Sequence, residues 1–172
     1  MTEQMHQMRA IAFYLPQFHP IPENDKWWSK GFTEWTNVGK AKPLFRGHYQ
    51  PKVPADLGYY DLRLSDVREA QAKMASEYGI EGFCYWHYWF GNGRQLLERP
   101  FNEVLASGKP NFPFCLAWAN ESWRGFFHGL KTKDTLIEME DKIAYSGCCL
   151  IPDQKYQKPN IIINEKFDLQ IY

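Results

Sequence analysis

Three short apolar runs, rich in β-branched and aromatic residues, most strongly constrain the fold of this 172-residue chain. They read RAIAFYL, IEGFCYWHYWF and FPFCLAWA, and this composition is typical of buried strands. We predict strands near residues 9 to 15, 80 to 88 and 112 to 119. Stretches with helical spacing separate the three runs, so the order is strand, helix, strand, helix, strand. That order indicates parallel βα units with right-handed crossovers.

The two helical stretches carry recognisable start and stop signals. SDVREAQAKMASEYG begins with Ser65, which is predicted as the helix cap, and ends at the stop residue Gly79. RQLLERPFNEVLASG predicts a second helix that is bent or restarted near Pro100 and ended by its glycine. Before the first helix lies a long connection, residues 16 to 64, with six prolines and no sustained period. A connection of this length inside a compact domain is usually functional.

Charge and cysteine content exclude several classes of protein. The formal net charge is zero, so there is no electrostatic reason to expect nucleic acid or an anionic membrane surface as a partner. The chain lacks an apolar leader and an apolar run long enough to span a bilayer, which predicts a soluble cytoplasmic protein. Cys84 and Cys115 lie inside strand-like runs, and Cys148 and Cys149 have no companions at metal-binding spacing. We expect no metal site and no cofactor.

Aromatic residues make up 17% of the chain, and all seven tryptophans precede residue 124. Indole rings are flat and amphipathic, and they are interleaved here with polar residues. A sugar ring fits such a surface, because its C–H face stacks on indole while its hydroxyls bond carboxylates and amides. For any single tryptophan, a place in an aromatic core is an equally good interpretation.

Parallel α/β sheets bind their ligands at the carboxyl ends of the strands. Eight candidate site residues fall at these ends or in the long first connection: Glu34, Trp35, Trp86, His87, Trp118, Asn120, Glu121 and Trp123. All except Glu121 are predicted to bind substrate, whereas Glu121 is the candidate catalytic group.

Each candidate also has a structural alternative. Flanking indoles would desolvate Glu121 and raise its pKa, as an acid catalyst requires, but Glu121 could instead cap a helix or pair with Arg124. Glu34 is either a site carboxylate or a solvated loop acid. His87 could bond a hydroxyl or shuttle a proton near neutral pH, or it could be a structural histidine whose ring nitrogens bond other protein groups. Asn120 offers both a donor and an acceptor to vicinal hydroxyls.

Three long and rare strings, FYLPQFHP, GFTEW and WANESW, carry a family resemblance. From about Arg9 to Glu138 the chain resembles the amino-terminal part of the WbsX family, whose members are usually labelled glycosyltransferases of bacterial lipopolysaccharide and polysaccharide biosynthesis. That family is similar to glycoside hydrolase family 99, endo-acting α-mannosidases with a (β/α)8 barrel. The resemblance implies that residues 1–138 form the amino-terminal part of a barrel domain, followed by a divergent tail at residues 139–172.

The predicted fold is therefore α/β, with the first three parallel βα units of a TIM-type (β/α)8 barrel plus the divergent tail. The competing architecture is a small doubly wound sheet in which NIIIN, in the tail, supplies a fourth strand. Three units leave two open sheet edges, so folding in isolation should be poor unless the tail after Glu138 pairs onto one of them.

Two functions follow from the resemblance. The first is a carbohydrate-active enzyme, a glycosyltransferase or glycoside hydrolase, with an oligosaccharide or polysaccharide substrate. The second is a truncated, catalytically inactive fragment or sugar-binding remnant of such an enzyme. The resembling families place paired catalytic carboxylates in a late Asn-Glu-Trp-x-Glu-Gly type motif, and this sequence contains no such string. Catalysis by this chain is therefore left open.

Overall fold

The computed structural model describes residues 9–119, 121–125 and 135–139, together with the backbone of residues 149–152. Within these residues the elements follow in the order β1 (Ile11–Tyr14), α1 (Pro22–Trp27), α2 (Glu34–Lys40), α3 (Ser65–Glu77), β2 (Gly82–Trp89), β3 (Gln95–Leu96), α4 (Arg99–Ser107), β4 (Phe114–Trp118), β5 (Trp123–Arg124), β6 (Thr135–Ile137) and β7 (Cys149–Pro152). None of these helices has the length and apolar character needed to cross a membrane.

The main sheet confirms the predicted parallel βα units. Strands β1, β2 and β4 are consecutive neighbours, and both pairs are parallel. This order excludes the 2-1-3 order of the competing doubly wound sheet, whose proposed strand NIIIN lies outside the described residues. On the other side of β4, β7 pairs in the antiparallel direction. The strands of a (β/α)8 barrel are all parallel, so the barrel stays a prediction.

The helix boundaries correct two details of the sequence interpretation. Helix α3 begins at Ser65 itself with Leu64 as its cap, and no side chain caps this end. Residues Gln95–Leu96 are not helical, because they pair with the end of β2 after a tight turn. Pro100 then lies in the first turn of α4, where the missing N–H of proline costs nothing.

Aromatic packing and hydrogen bonds join distant parts of the first connection to one another. The Trp35 indole N–H donates to the carbonyl oxygen of Tyr60 at 2.8 Å. The ring centroid of Trp35 lies 4.6 Å from that of Phe18 and 5.0 Å from that of Tyr60. The backbone of Leu62 also bonds that of Phe18. These contacts hold the later part of the connection against Phe18, which follows β1 closely.

Successive side chains of a strand point to opposite faces of a sheet. The helix-covered face packs against α3 and α4 and includes Ala12, Tyr14, Phe83, Tyr85, His87, Phe114, Leu116 and Trp118. The opposite face includes Ile11, Phe13, Cys84, Trp86, Tyr88, Cys115 and Ala117. Exposure differs sharply between them at β1, where Tyr14 is 8% exposed and Phe13 is 55% exposed.

An ion pair joins the two helices that cover the sheet. Arg68 on α3 is buried, and its guanidinium lies 2.8 Å from a carboxylate oxygen of Glu103 on α4. The same guanidinium donates to the carbonyl oxygen of Leu62 at 2.6 Å. Together these contacts link α3, α4 and the end of the first connection.

The chain leaves β4 and enters a small hairpin formed by β5 and β6. The backbone N–H of Met139 donates to the Ser122 hydroxyl at 2.8 Å, which ties the WANESW segment to the end of β6. Trp123 and Ile137 are partners in the hairpin, and both are buried in one hydrophobic cluster with Tyr88. The hairpin therefore packs against the carboxyl end of β2.

Candidate functional site

A buried hydroxyl lies at the carboxyl end of β2. The Tyr88 hydroxyl accepts a hydrogen bond from the side-chain amide of Gln17, and both residues are buried. Gln17 follows β1 closely, and its backbone carbonyl accepts the N–H of Glu34 at 3.1 Å. The hydrogen bonds thus connect the end of β1, the end of β2 and the start of α2.

The charges of two predicted carboxylates act on this hydroxyl. Burial raises the pKa of Tyr88 above its ordinary value, and the negative charges of Glu34 and Glu121 raise it further, while the bond from Gln17 acts in the opposite direction. The Glu34 carboxylate also accepts a hydrogen bond from Asn37 at 3.1 Å. Glu34 and Glu121, which are remote in sequence, therefore lie close enough to act on one phenol.

Glu121 itself is exposed to solvent, in contrast to the desolvated setting that its flanking indoles predict. Trp118 lies on the helix-covered face, where it is 5% exposed. Its indole N–H donates to the Trp89 carbonyl oxygen at 2.8 Å, and the two rings are in contact. The ring is buried in the same hydrophobic cluster as Tyr88 and Trp123, so it offers little surface for stacking on a sugar.

Trp123 forms part of the wall behind the Tyr88 ring. Their centroids are 4.8 Å apart in an edge-to-face arrangement, and Trp27 and Phe90 contact the same indole at 6.0 and 5.9 Å. Because Trp123 is buried, its ring faces are occupied by protein. In this structure Trp123 supports the phenol and offers little surface for stacking.

Trp86 lies on the same face as Tyr88, two residues earlier in β2, and part of its surface is exposed. Its ring makes an edge contact with Phe13, with centroids 5.9 Å apart. Phe13 is itself largely exposed. The two rings give the opposite face an accessible aromatic surface below the Tyr88 hydroxyl, of the kind on which a sugar ring stacks.

His87 and Trp35 do not join this group. His87 points to the helix-covered face, where its ring contacts Phe101 at 6.0 Å. Burial lowers the pKa of His87, and the charge of Glu98 opposes that shift. The Trp35 indole N–H donates to the Tyr60 carbonyl oxygen, as described above, so it is not available to a ligand.

Asn120 lies outside the described residues. Within the described ranges, no three His, Cys, Asp or Glu side chains come together in a group that could hold a metal ion.

The sequence interpretation missed Tyr88 and Gln17, the two residues at the centre of the site. A signal for Tyr88 was available, because the alternation of a strand places it on the same face as Trp86 and opposite to His87. Gln17 had a weaker signal, its position directly after β1 in the string FYLPQFHP. Its contact with Tyr88 spans 71 residues of sequence, so no local pattern contains it.

The chemistry of the group suits neutral polyols. With its pKa raised, the phenol of Tyr88 keeps its proton at neutral pH and can donate it in a hydrogen bond. The carboxylates of Glu34 and Glu121 only accept, so the three groups together can bond donors and acceptors on one hydroxyl-rich ligand. The Trp86 indole adds an apolar surface on the same face.

Comparisons with known proteins identify one family and two curated relatives. The glycosyltransferase WbsX family model matches residues 10–160, so the match continues past Glu138, while the division of the chain at residues 138 and 139 stays a prediction.

Two curated proteins, both named uncharacterized protein WxcX, come from Xanthomonas campestris pv. campestris strains B100 and ATCC 33913. Each is 52% identical over 139 residues, which cover 78% of this chain and 20% of the relative. The chain thus spans about a fifth of the length of these relatives. No solved structure matches the chain.

Proposed function

The chain belongs to the glycosyltransferase WbsX family, and from that premise we propose that it forms a carbohydrate-binding part of an enzyme of bacterial surface polysaccharide biosynthesis. The substrate is an oligosaccharide or polysaccharide. The observation that carries the proposal is the buried hydrogen bond between Gln17 and the Tyr88 hydroxyl at the carboxyl end of β2, with the charges of Glu34 and Glu121 near enough to raise the pKa of that phenol. These groups come from separate segments of the chain.

The proposed architecture is the beginning of a (β/α)8 barrel. Its support is the consecutive parallel order of β1, β2 and β4, with α3 and α4 covering one face. In such barrels the active site lies at the carboxyl ends of the strands, which is where Gln17, Tyr88 and Glu121 lie. In that architecture the opposite face, with Phe13 and Trp86, lines the barrel interior. We retain the predicted cytoplasmic location as part of the same proposal.

Within the site, each group has a role that its chemistry allows. Trp86 stacks on the C–H face of a sugar ring, and Glu34 and Glu121 accept hydrogen bonds from its hydroxyls. The Tyr88 hydroxyl, held by Gln17, donates to a ring or glycosidic oxygen. Glycosyl transfer and hydrolysis both pass through an oxocarbenium-like transition state, whose positive charge two nearby carboxylates would stabilise.

A second candidate function is sugar binding without turnover. The exposed position of Glu121 favours it, because a general acid that works near neutral pH is usually desolvated. A hydrogen-bonding carboxylate has no such requirement. We therefore propose that Glu121 holds substrate in this chain and that hydrolysis and transfer by the isolated chain are not measurable.

The test is a titration of the purified chain with mannose-containing and other oligosaccharides, followed by tryptophan fluorescence. Binding should change the emission, because Trp86 is partly exposed beside the site. Glu121→Ala should abolish the change, whereas Glu69→Ala, which removes an exposed carboxylate on α3, should leave it intact.

Two results would overturn these proposals. If circular dichroism shows that the chain is folded but no oligosaccharide changes its fluorescence, the proposal of sugar binding at this site is wrong. Product formation that vanishes in Glu121→Gln would instead assign catalysis to Glu121 and reject binding without turnover.

A further inference from the structure

Two cysteines occupy partner positions in neighbouring strands. Cys84 of β2 is in register with Cys115 of β4, and neither cysteine forms a disulfide in the structure. Because the strands are parallel, partner residues point to the same face of the sheet. Here that is the opposite face, two residues before Trp86 and Ala117.

The spacing of the strands allows a covalent link. Adjacent strands lie about 4.8 Å apart, within the range of about 4.4 to 6.8 Å that Cα atoms of a disulfide occupy. The backbones are close at this end of the sheet, since a Cβ added at Gly82 would lie 2.6 Å from the Pro113 carbonyl oxygen. A hydrogen bond also joins the two thiols, and it lowers the pKa of Cys115 while burial opposes the shift.

The surroundings of the pair restrict which oxidant can reach it. Cys84 is 4% exposed and Cys115 is 5% exposed, and they pack with Ala117 and against Trp86. Cys115 also lines a small cavity between the first residues of β1, β2 and β4. A small oxidant suits this approach better than a bulky disulfide.

We propose that Cys84 and Cys115 form a redox-active dithiol, which a hydroperoxide oxidises to a reversible cross-strand disulfide. The proposal stands on the register, burial and contact of the two thiols. It does not depend on the carbohydrate function proposed above.

The chemistry balances in two steps. The Cys115 thiolate attacks one oxygen of hydrogen peroxide and becomes a sulfenic acid, while the O–O bond breaks and the other oxygen leaves as water after taking a proton. The Cys84 thiol then attacks the sulfenic sulfur, so that the S–S bond forms and the S–O bond breaks, releasing a second water. Two thiols are oxidised and one peroxide is reduced.

Reversibility follows from the same geometry. Side chains of parallel partners project side by side, so their Cβ atoms are about as far apart as the strands, beyond the mean of about 3.8 Å for disulfides. A disulfide closed at this position carries strain, and strained disulfides are reduced more readily. A mild dithiol reductant should therefore restore both thiols.

The experiment uses the full chain with Cys148→Ser and Cys149→Ser, which leaves Cys84 and Cys115 as the thiols to follow. The protein is treated with stoichiometric hydrogen peroxide, denatured, alkylated and weighed by mass spectrometry. We expect a monomer that has lost two hydrogens, takes up no alkylating group and regains both thiols with dithiothreitol. In the same background, Cys84→Ser should stop the reaction at an oxygenated Cys115.

Peptide mapping of the wild-type chain provides a second measurement should the serine variant fail to fold. A linked peptide containing Cys84 and Cys115 would support the proposal. Full alkylation of both thiols after peroxide, disulfides found only between chains, or two separately oxygenated cysteines would each overturn it.

Discussion

The two faces of the main sheet both carry aromatic residues, but these residues have different roles on each face. On the helix-covered face, Phe83 and Tyr85 lie beneath α3 and α4 and pack with Tyr14 into a closed core. On the opposite face, Phe13 and Trp86 keep exposed surface and lead upward to the Tyr88 hydroxyl. Because successive side chains of β2 point to opposite faces, neighbouring aromatic residues have different roles. Those on one face stabilise the core, and those on the other face form a candidate binding surface.

The sharpest test of this division compares two tryptophans. Trp118→Ala should lower the free energy of unfolding by about 3–5 kcal/mol, because it removes a buried ring and leaves the Trp89 carbonyl without its donor. Trp86→Ala, on the opposite face, should cost about 1–2 kcal/mol because its ring is only partly buried, while weakening sugar binding. Urea denaturation and fluorescence titration measure the two effects. Equal losses of stability would mean that the faces do not differ in this way.

A polar residue inside the covered region gives the next largest effect. His19 is 1% exposed, and neither ring nitrogen has a hydrogen-bond partner among the described residues. Burial lowers the pKa of His19 to about 4, with smaller and opposing contributions from Asp61 and Glu103, which raise it, and from Arg63 and Arg99, which lower it. Native His19 therefore stays neutral where a histidine of the unfolded chain is already protonated.

The sign of the resulting pH dependence follows from that difference. Below the ordinary value of about 6.5 the unfolded state binds a proton that the native state does not, so stability falls as pH falls from about 6.5 to about 4. The loss contributed by His19 should reach about 3 kcal/mol. Urea unfolding at a series of pH values should show a flatter profile in His19→Gln than in the wild-type chain. An unchanged slope in His19→Gln would contradict the assignment.

The smallest effect concerns the rim of the opposite face. Tyr88→Phe leaves the buried Gln17 amide without its acceptor and should cost about 1–2 kcal/mol. The control Tyr49→Phe, at an exposed position, should change stability by less than about 0.5 kcal/mol. If Tyr88 also donates to ligand, the variant should bind oligosaccharide more weakly at a temperature where it is fully folded. Unchanged affinity would confine Tyr88 to a structural role.

Local sequence patterns correctly predicted the elements whose conformation depends mainly on their own residues. The strands at residues 11–14, 82–89 and 114–118 fall within the predicted segments to within a residue or two, because each run is apolar and rich in aromatic residues. Gly79 adopts a positive φ of 79° just after α3, as its role as a stop signal requires. The helical prediction for Gln95 and Leu96 failed because pairing with β2 decided their conformation.

The candidate site was predictable only in part, because its geometry depends on contacts between distant segments. Glu34 and Glu121 were selected from their positions in the chain, and the charges of both raise the pKa of the Tyr88 phenol, while their part in a site stays a prediction. Which face each indole would take needed the register of β4 against β2, where Trp118 is the partner of His87 and Ala117 the partner of Trp86. No residue near Trp118 carries that information.

The antiparallel pairing of β7 with β4 bears on how the chain behaves at high concentration. A free strand edge exposes backbone donors and acceptors that can template the addition of another molecule. Residues Cys149–Pro152 cover the edge of β4 with a four-residue strand, so the edge on that side of the described sheet is that of β7. The opposite edge is that of β1, where Ile11 and Phe13 are exposed, and Phe13→Lys should slow nucleation there by adding a gatekeeper charge.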